Sequence, residues 1–173
     1  MEDVGFTVCL WNCKSRTEGK VGLSVSCGLY AGVPGLVNRC VISLPEEGPV
    51  MERITHIEKL VEILSVVIRA WEPDWAIVTS HSIIDTVGEA PPRVPEPAWI
   101  LFLSEGRGKI PFLPLPSRTI LLEGVGTIIV VIDERFDSTR EDHIKAAKKV
   151  YRILKKAGLL APIPQAVEHF TER

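Results

Sequence analysis

A serine beside a histidine at the end of a strand can supply a nucleophile and its base, and Ser80-His81-Ser82 is where this sequence comes nearest to that arrangement. The apolar run Trp75 to Thr79 precedes it, so a strand end would present both side chains to a cleft. Adjacent residues of an extended chain point opposite ways, however, and no acid is spaced to orient the histidine. The other histidines, His56, His143 and His169, stand apart, with no H-E-x-x-H or H-x-x-E-H spacing. Gly106-Arg107-Gly108 and Gly124-Val125-Gly126 read as turn glycines, because neither pair follows a strand and opens a helix as a phosphate-cradling loop must. Cys9, Cys13, Cys27 and Cys40 form no C-x-x-C and are expected to be reduced, buried thiols. No metal, no cofactor and no catalytic residue is therefore expected. A small enzyme or ligand-binding domain using Ser80-His81-Ser82 and the proline-rich stretch after it stands as the second reading.

Recognition has better material. Trp71-Glu72-Pro73-Asp74-Trp75 ends a helix at Glu72 and turns through Pro73-Asp74, with two indoles to clamp helix against strand. Trp71 continues a buried stripe and is expected in the core, whereas Trp75 is the candidate interface anchor. Residues 133–142 hold five acids against two arginines, between an apolar strand and a helix. Acids there serve a helix cap and dipole, and they also suit a basic partner. Asp133, Glu134, Asp137 and Asp142, with Phe136 as an apolar anchor, are the expected binding residues.

The elements that must position these groups follow from periodicity. Phe6 to Trp11 and Val21 to Cys27 alternate with period two across a polar turn, predicting an antiparallel hairpin with one solvated face. Cys40 to Leu44 is a short strand. Val50, Ile54, Ile57, Val61, Leu64, Ile68 and Trp71 repeat at helical spacing, with Pro49 in the first turn and Pro73 as the stop. Trp75 to Thr79 and Trp99 to Leu103 are further strands, and Arg118 to Leu122 pairs with Thr127 to Ile132 across Glu123-Gly124. The last two of these runs to be apolar on both faces, Trp99–Leu103 and Thr127–Ile132, belong in the middle of a sheet covered on both sides. Gly88 to Pro97, holding Pro91, Pro92, Pro95 and Pro97, reads as an extended surface connection. A final helix opens with a capping box of Ser138 and Glu141, buries Ile144, Ala147, Tyr151 and Leu154, and ends at Gly158. Its lysines and arginine form a solvated face. The class is α+β, a mainly antiparallel sheet packed with two long helices in one domain spanning residues 1–173.

Composition agrees with that class. The 173 residues are 46% hydrophobic and 24% charged, with a net charge of −2, so neither direct nucleic-acid binding nor membrane adhesion is expected. No apolar run reaches the length of a membrane span, and the start Met-Glu-Asp lacks the basic region of a signal peptide. A cytoplasmic protein is expected.

Leu10-Trp11-Asn12, Val41-Ile42-Ser43-Leu44-Pro45, Ala70-Trp71-Glu72-Pro73-Asp74-Trp75, Ile132-Asp133-Glu134-Arg135-Phe136-Asp137 and Ala157-Gly158-Leu159-Leu160 occur in an order that resembles the immunity protein 52 family. The resemblance runs from about Phe6 to Leu160, and W-x-P-D-W is its most specific part. It implies a cytosolic α+β protein that binds and neutralises a cognate polymorphic toxin, typically one with a restriction-endonuclease-type nuclease domain. Longer members begin with a helical portion bearing a tyrosine–tryptophan–glycine motif, so this chain is expected to be a short or truncated member.

Overall fold

The computed structural model describes residues 6–15, 18–27, 38–45 and 47–163. The described residues up to Ile54 form one compact unit and residues 55–163 form another.

In the first unit, alternation makes strands β1 (Phe6–Trp11), β2 (Gly22–Cys27) and β3 (Arg39–Ser43), followed by helix α1 (Pro49–Ile54). The sheet order is β1-β2-β3, antiparallel throughout, with Val8 opposite Val25 and Val25 opposite Cys40. Asn12 holds the hairpin turn by donating to the Gly19 carbonyl at 3.0 Å and accepting from the Val21 N–H at 3.1 Å. Gly19 sits at φ +86° beneath Val50, where a Cβ would collide with that side chain.

The second unit holds α2 (Ile57–Trp71), β4 (Trp75–Val78), α3 (His81–Val87), β5 (Ile100–Ser104), a 3-10 turn (Glu105–Arg107), β6 (Arg118–Leu122), β7 (Gly126–Val130) and α4 (Glu141–Lys156). Its sheet is antiparallel in the order β4-β5-β7-β6. The two strands apolar on both faces, β5 and β7, are its centre, and Phe102, Leu103, Ile128 and Ile129 are buried there. Ile57, Leu60, Leu64 and Ile68 bury one face of α2. The class is α+β, as the patterning predicts.

Several details differ from the sequence reading, each for a physical reason. Two sheets replace one, because alternation marks strands without saying which of them pair. The first predicted helix is two: His56 is extended (φ −73°, ψ 137°) and caps α2, and the three-residue step from Ile54 to Ile57 carries the apolar stripe across the break. Trp71 is half-buried, not a core residue. The proline-rich stretch is a surface connection only in its first half: Gly88, Glu89, Pro91 and Pro92 are exposed, but Val94, Pro95 and Pro97 are buried and the Tyr151 hydroxyl donates to the Pro95 carbonyl. In α4, Ala147 and Leu154 are buried as expected, but His143 and Val150 complete the buried stripe in place of their half-buried neighbours Ile144 and Tyr151. Its N-cap is Arg140 with no side-chain cap, so Ser138 and Glu141 make no capping box. The cysteines are free, but Cys9 and Cys13 are exposed and Cys27 and Cys40 half-buried. The thiols sit on a sheet whose strands are themselves open.

Candidate partner-binding surface

Backbone pairing decides which candidate residues meet. Trp99 donates its N–H to the Val78 carbonyl, and Val131 donates to the Trp99 carbonyl, both at 3.0 Å. The chain leaving β4 and the chain leaving β7 therefore emerge at the same end of the sheet. The first gives Ser80-His81-Ser82 and α3; the second gives residues 133–142 and α4. Trp99 ties this end shut with its indole N–H on the Ile132 carbonyl at 2.9 Å, a buried bond.

Residues 133–142 are folded around a histidine that spacing does not single out. His143 is 1% exposed. Its Nδ1 accepts from the Asp137 backbone N–H at 3.0 Å, and its Nε2 faces Glu134 Oε1 at 3.1 Å. With Nδ1 accepting that N–H, Nε2 is the ring nitrogen left to donate to Glu134. Phe136 lies half-buried over it, ring centroids 5.5 Å apart. Asp137 then turns the chain: one carboxylate oxygen accepts from the Thr139 N–H at 2.8 Å and hydroxyl at 2.7 Å.

The acids are exposed and mostly paired. Asp133 meets Arg118 at 2.7 Å, while Arg140 bridges Glu134 at 2.8 Å and Asp142 at 2.7 Å. The His143 hydrogen bond, then the Arg140 charge, hold the Glu134 carboxyl below its ordinary range. The Thr139 hydroxyl and N–H do the same for Asp137, and Arg140 does so for Asp142. Asp142 in turn raises Arg140. Asp137 alone of the predicted acids has only neutral partners among these bonds, which leaves its charge the least compensated.

Trp75 does not join this group. It pairs with Leu103, and Leu103 with Thr127, at the opposite end of the strands from Asp133. It is half-buried, and its buried indole N–H has no hydrogen-bond partner among the described residues. Its neighbour Asp74 is the busier residue. Arg107, whose side chain is 8% exposed, donates to Asp74 Oδ2 from Nε at 2.9 Å and from Nη2 at 2.5 Å, and from Nη1 to the Leu159 and Ala161 carbonyls. The Pro73-Asp74 turn is thus a latch for the chain end after α4.

Ser80 caps α3, accepting from the Ile83 N–H at 3.3 Å, and its hydroxyl lies 2.9 Å from that of Ser82. His81 is exposed and makes no side-chain hydrogen bond among the described residues. Nor do the described residues place three or more His, Cys, Asp or Glu side chains where they could hold a metal ion. Among the described residues, no helix is long and apolar enough to cross a membrane.

Residues 1–163 match the family described as Immunity protein 52. The chain belongs to that family. No individually curated protein matches it significantly. Membership accounts for the ordered recurrence of the Leu10-Trp11-Asn12, W-x-P-D-W and Ile132–Asp137 segments, and it implies a toxin partner. Within this member of the family, His143 and Arg107 are the residues that sequence reasoning missed. Spacing gave no signal for the first, since its contact at position 137 is a backbone N–H that almost any residue there supplies. Arg107, between two glycines, gave none.

Proposed function

We propose that this chain neutralises a cognate bacterial polymorphic toxin in the cytoplasm by direct binding, that the toxin's catalytic domain is a nuclease of restriction-endonuclease type, and that the chain has no catalytic activity of its own. Membership of the immunity protein 52 family across residues 1–163 carries this reading. A nuclease must hold phosphates with cations, and a protein that sets carboxylates against those cations competes with the nucleic acid for them. Asp133, Glu134, Asp137 and Asp142, with Phe136, supply such a surface, and the sheet end and α4 fix both ends of their loop. A fixed loop loses little entropy on binding. Trp75, at the far end of the strands, contacts the toxin only through a second patch.

Internal pairing tempers the charge. Of the five acids in the loop and at the start of α4, four are paired with three cations, Arg118, Arg140 and Lys145, so steering is weaker than the loop's composition alone suggests. The test must also avoid acids that hold the loop together. Asp133→Lys and Asp142→Lys leave His143 and the Asp137 turn in place. Measured against the toxin encoded by the adjacent gene, each is expected to slow association about 3- to 10-fold at low salt and to flatten its salt dependence. The melting temperature should stay nearly unchanged in Asp133→Lys and fall modestly in Asp142→Lys, which sets a second cation beside Arg140 at the start of α4. Wild-type association rates and salt dependence in both variants would place the interface elsewhere.

A further inference from the structure

The sheet of the first unit has two unlike faces. On one, Thr7 and Ser26 share a hydrogen bond at 2.9 Å, the Cys9 thiol donates to Ser24, and Arg39 and Ser43 continue the polar rows, with Trp11 and Val41 among them. The other face holds Phe6, Val8 and Leu10 on β1, Leu23, Val25 and Cys27 on β2, and Cys40 and Ile42 on β3, placed side by side by the register. None is charged or hydrogen-bonds through a hydroxyl or amide. Such a face is ordinarily covered. Here Phe6 is 60% exposed, Leu10 58%, Val8 44% and Ile42 40%.

We infer that this face is where two copies of the chain meet, sheet against sheet, about a two-fold axis. Area argues for that occupant. Open side chains of this size present roughly 150–200 Å² each, so the four most exposed offer about 400 Å² and the whole face roughly 550 Å². Two such faces bury about 1,100 Å², just above the roughly 1,000 Å² that a specific interface needs and near the weak end of the range. Charge argues the same way. A face without ionised groups repels no second copy of itself, and an isologous contact needs only a patch that complements its own rotated image. Aligned packing of two twisted sheets supplies it, at a separation of about 10 Å.

This inference is independent of the toxin reading, and its experiment uses the protein alone. Sedimentation velocity on the full chain in reducing buffer is expected to show a reversible monomer–dimer equilibrium with a midpoint on the order of 10–100 µM. Val8→Lys on β1 and Ile42→Lys on β3 should each weaken it at least about 10-fold, since each sets two ammonium groups into an apolar contact. Thr7→Lys, on the polar face, should leave it unchanged, and thermal melts of all three variants establish that the sheet still folds. A wild-type chain that stays monomeric through that range overturns the inference. So does a dimer that Val8→Lys and Ile42→Lys leave intact, or one that Thr7→Lys weakens as much as they do.

Discussion

His143 organises the candidate surface although it need not touch the partner. Both ring nitrogens are committed, one to the Asp137 N–H and one to Glu134. His143→Ala leaves that N–H without its acceptor beside a new cavity, so unfolding stability should fall by about 2–4 kcal/mol in chemical denaturation. His143→Phe keeps most of the volume and should recover only part of the loss. A variant as stable as wild type would mean that the ring merely fills space. The carboxylates carry a pH dependence of known sign. Glu134, Asp137 and Asp142 ionise at lower pH in the folded chain than in the unfolded one. Their stabilisation is whole above the ordinary carboxylate range near pH 4 and is lost as pH falls through the lowered folded values. Glu18 and Glu62, held by Ser15 and Lys59, shift the same way. The melting temperature should therefore be nearly flat from about pH 7 to 5 and drop below about pH 4, and Glu134→Gln should make the drop shallower without removing it. Types and spacing revealed the acids; they did not reveal that a buried histidine holds them, since a histidine three residues into a helix more often faces water.

Arg107 shows what an element needs beyond its own pattern. The strand β4, the 3-10 turn and the chain after α4 are joined by one guanidinium that has two contacts to Asp74 and two to main-chain carbonyls. Arg107→Ala abandons Asp74 and both carbonyls, and Asp74→Ala leaves a buried cation with carbonyls alone. Each should cost about 2–4 kcal/mol, the lower figure for Asp74→Ala because that carboxylate is partly in water. Losses under about 0.5 kcal/mol in denaturant titrations would reduce the latch to a surface ion pair. Long elements were legible because a buried face repeats along them: α2, α4, β5 and β7 are found from apolar spacing. The seven residues of α3 are too few for a helical period to declare itself, and the break before α2 hides where two apolar steps happen to keep phase. The prolines misled for another reason. Proline reads as a loop former, yet its ring is apolar, and Pro95 and Pro97 are buried.

Across the molecule, charge is sorted by place rather than by total. A net −2 conceals an acidic entry to α4, where Glu141 and Asp142 stand, and a run of exposed cations, Lys148, Lys149, Arg152, Lys155 and Lys156, along its later turns. The acidic end lies where β4 and β7 deliver their chains, so one end of one sheet carries Ser80-His81-Ser82 and the acidic loop, while Trp75 lies at the other. The Ser80 cap turns the first into a helix start; the second keeps its carboxylates in water. Pairing of strands into two sheets was not legible, because it depends on contacts far apart in sequence that alternation does not encode. Family and class were, because motif order and periodicity are local. The account's central claim is that this chain inhibits a nuclease by binding it directly, and the most direct measurement titrates purified chain into the nuclease domain encoded by the adjacent gene while DNA cleavage is followed. Cleavage should fall linearly to its floor at one chain per nuclease, with a dissociation constant on the order of nanomolar or below. Cleavage at the full rate in a severalfold molar excess of chain would contradict the account.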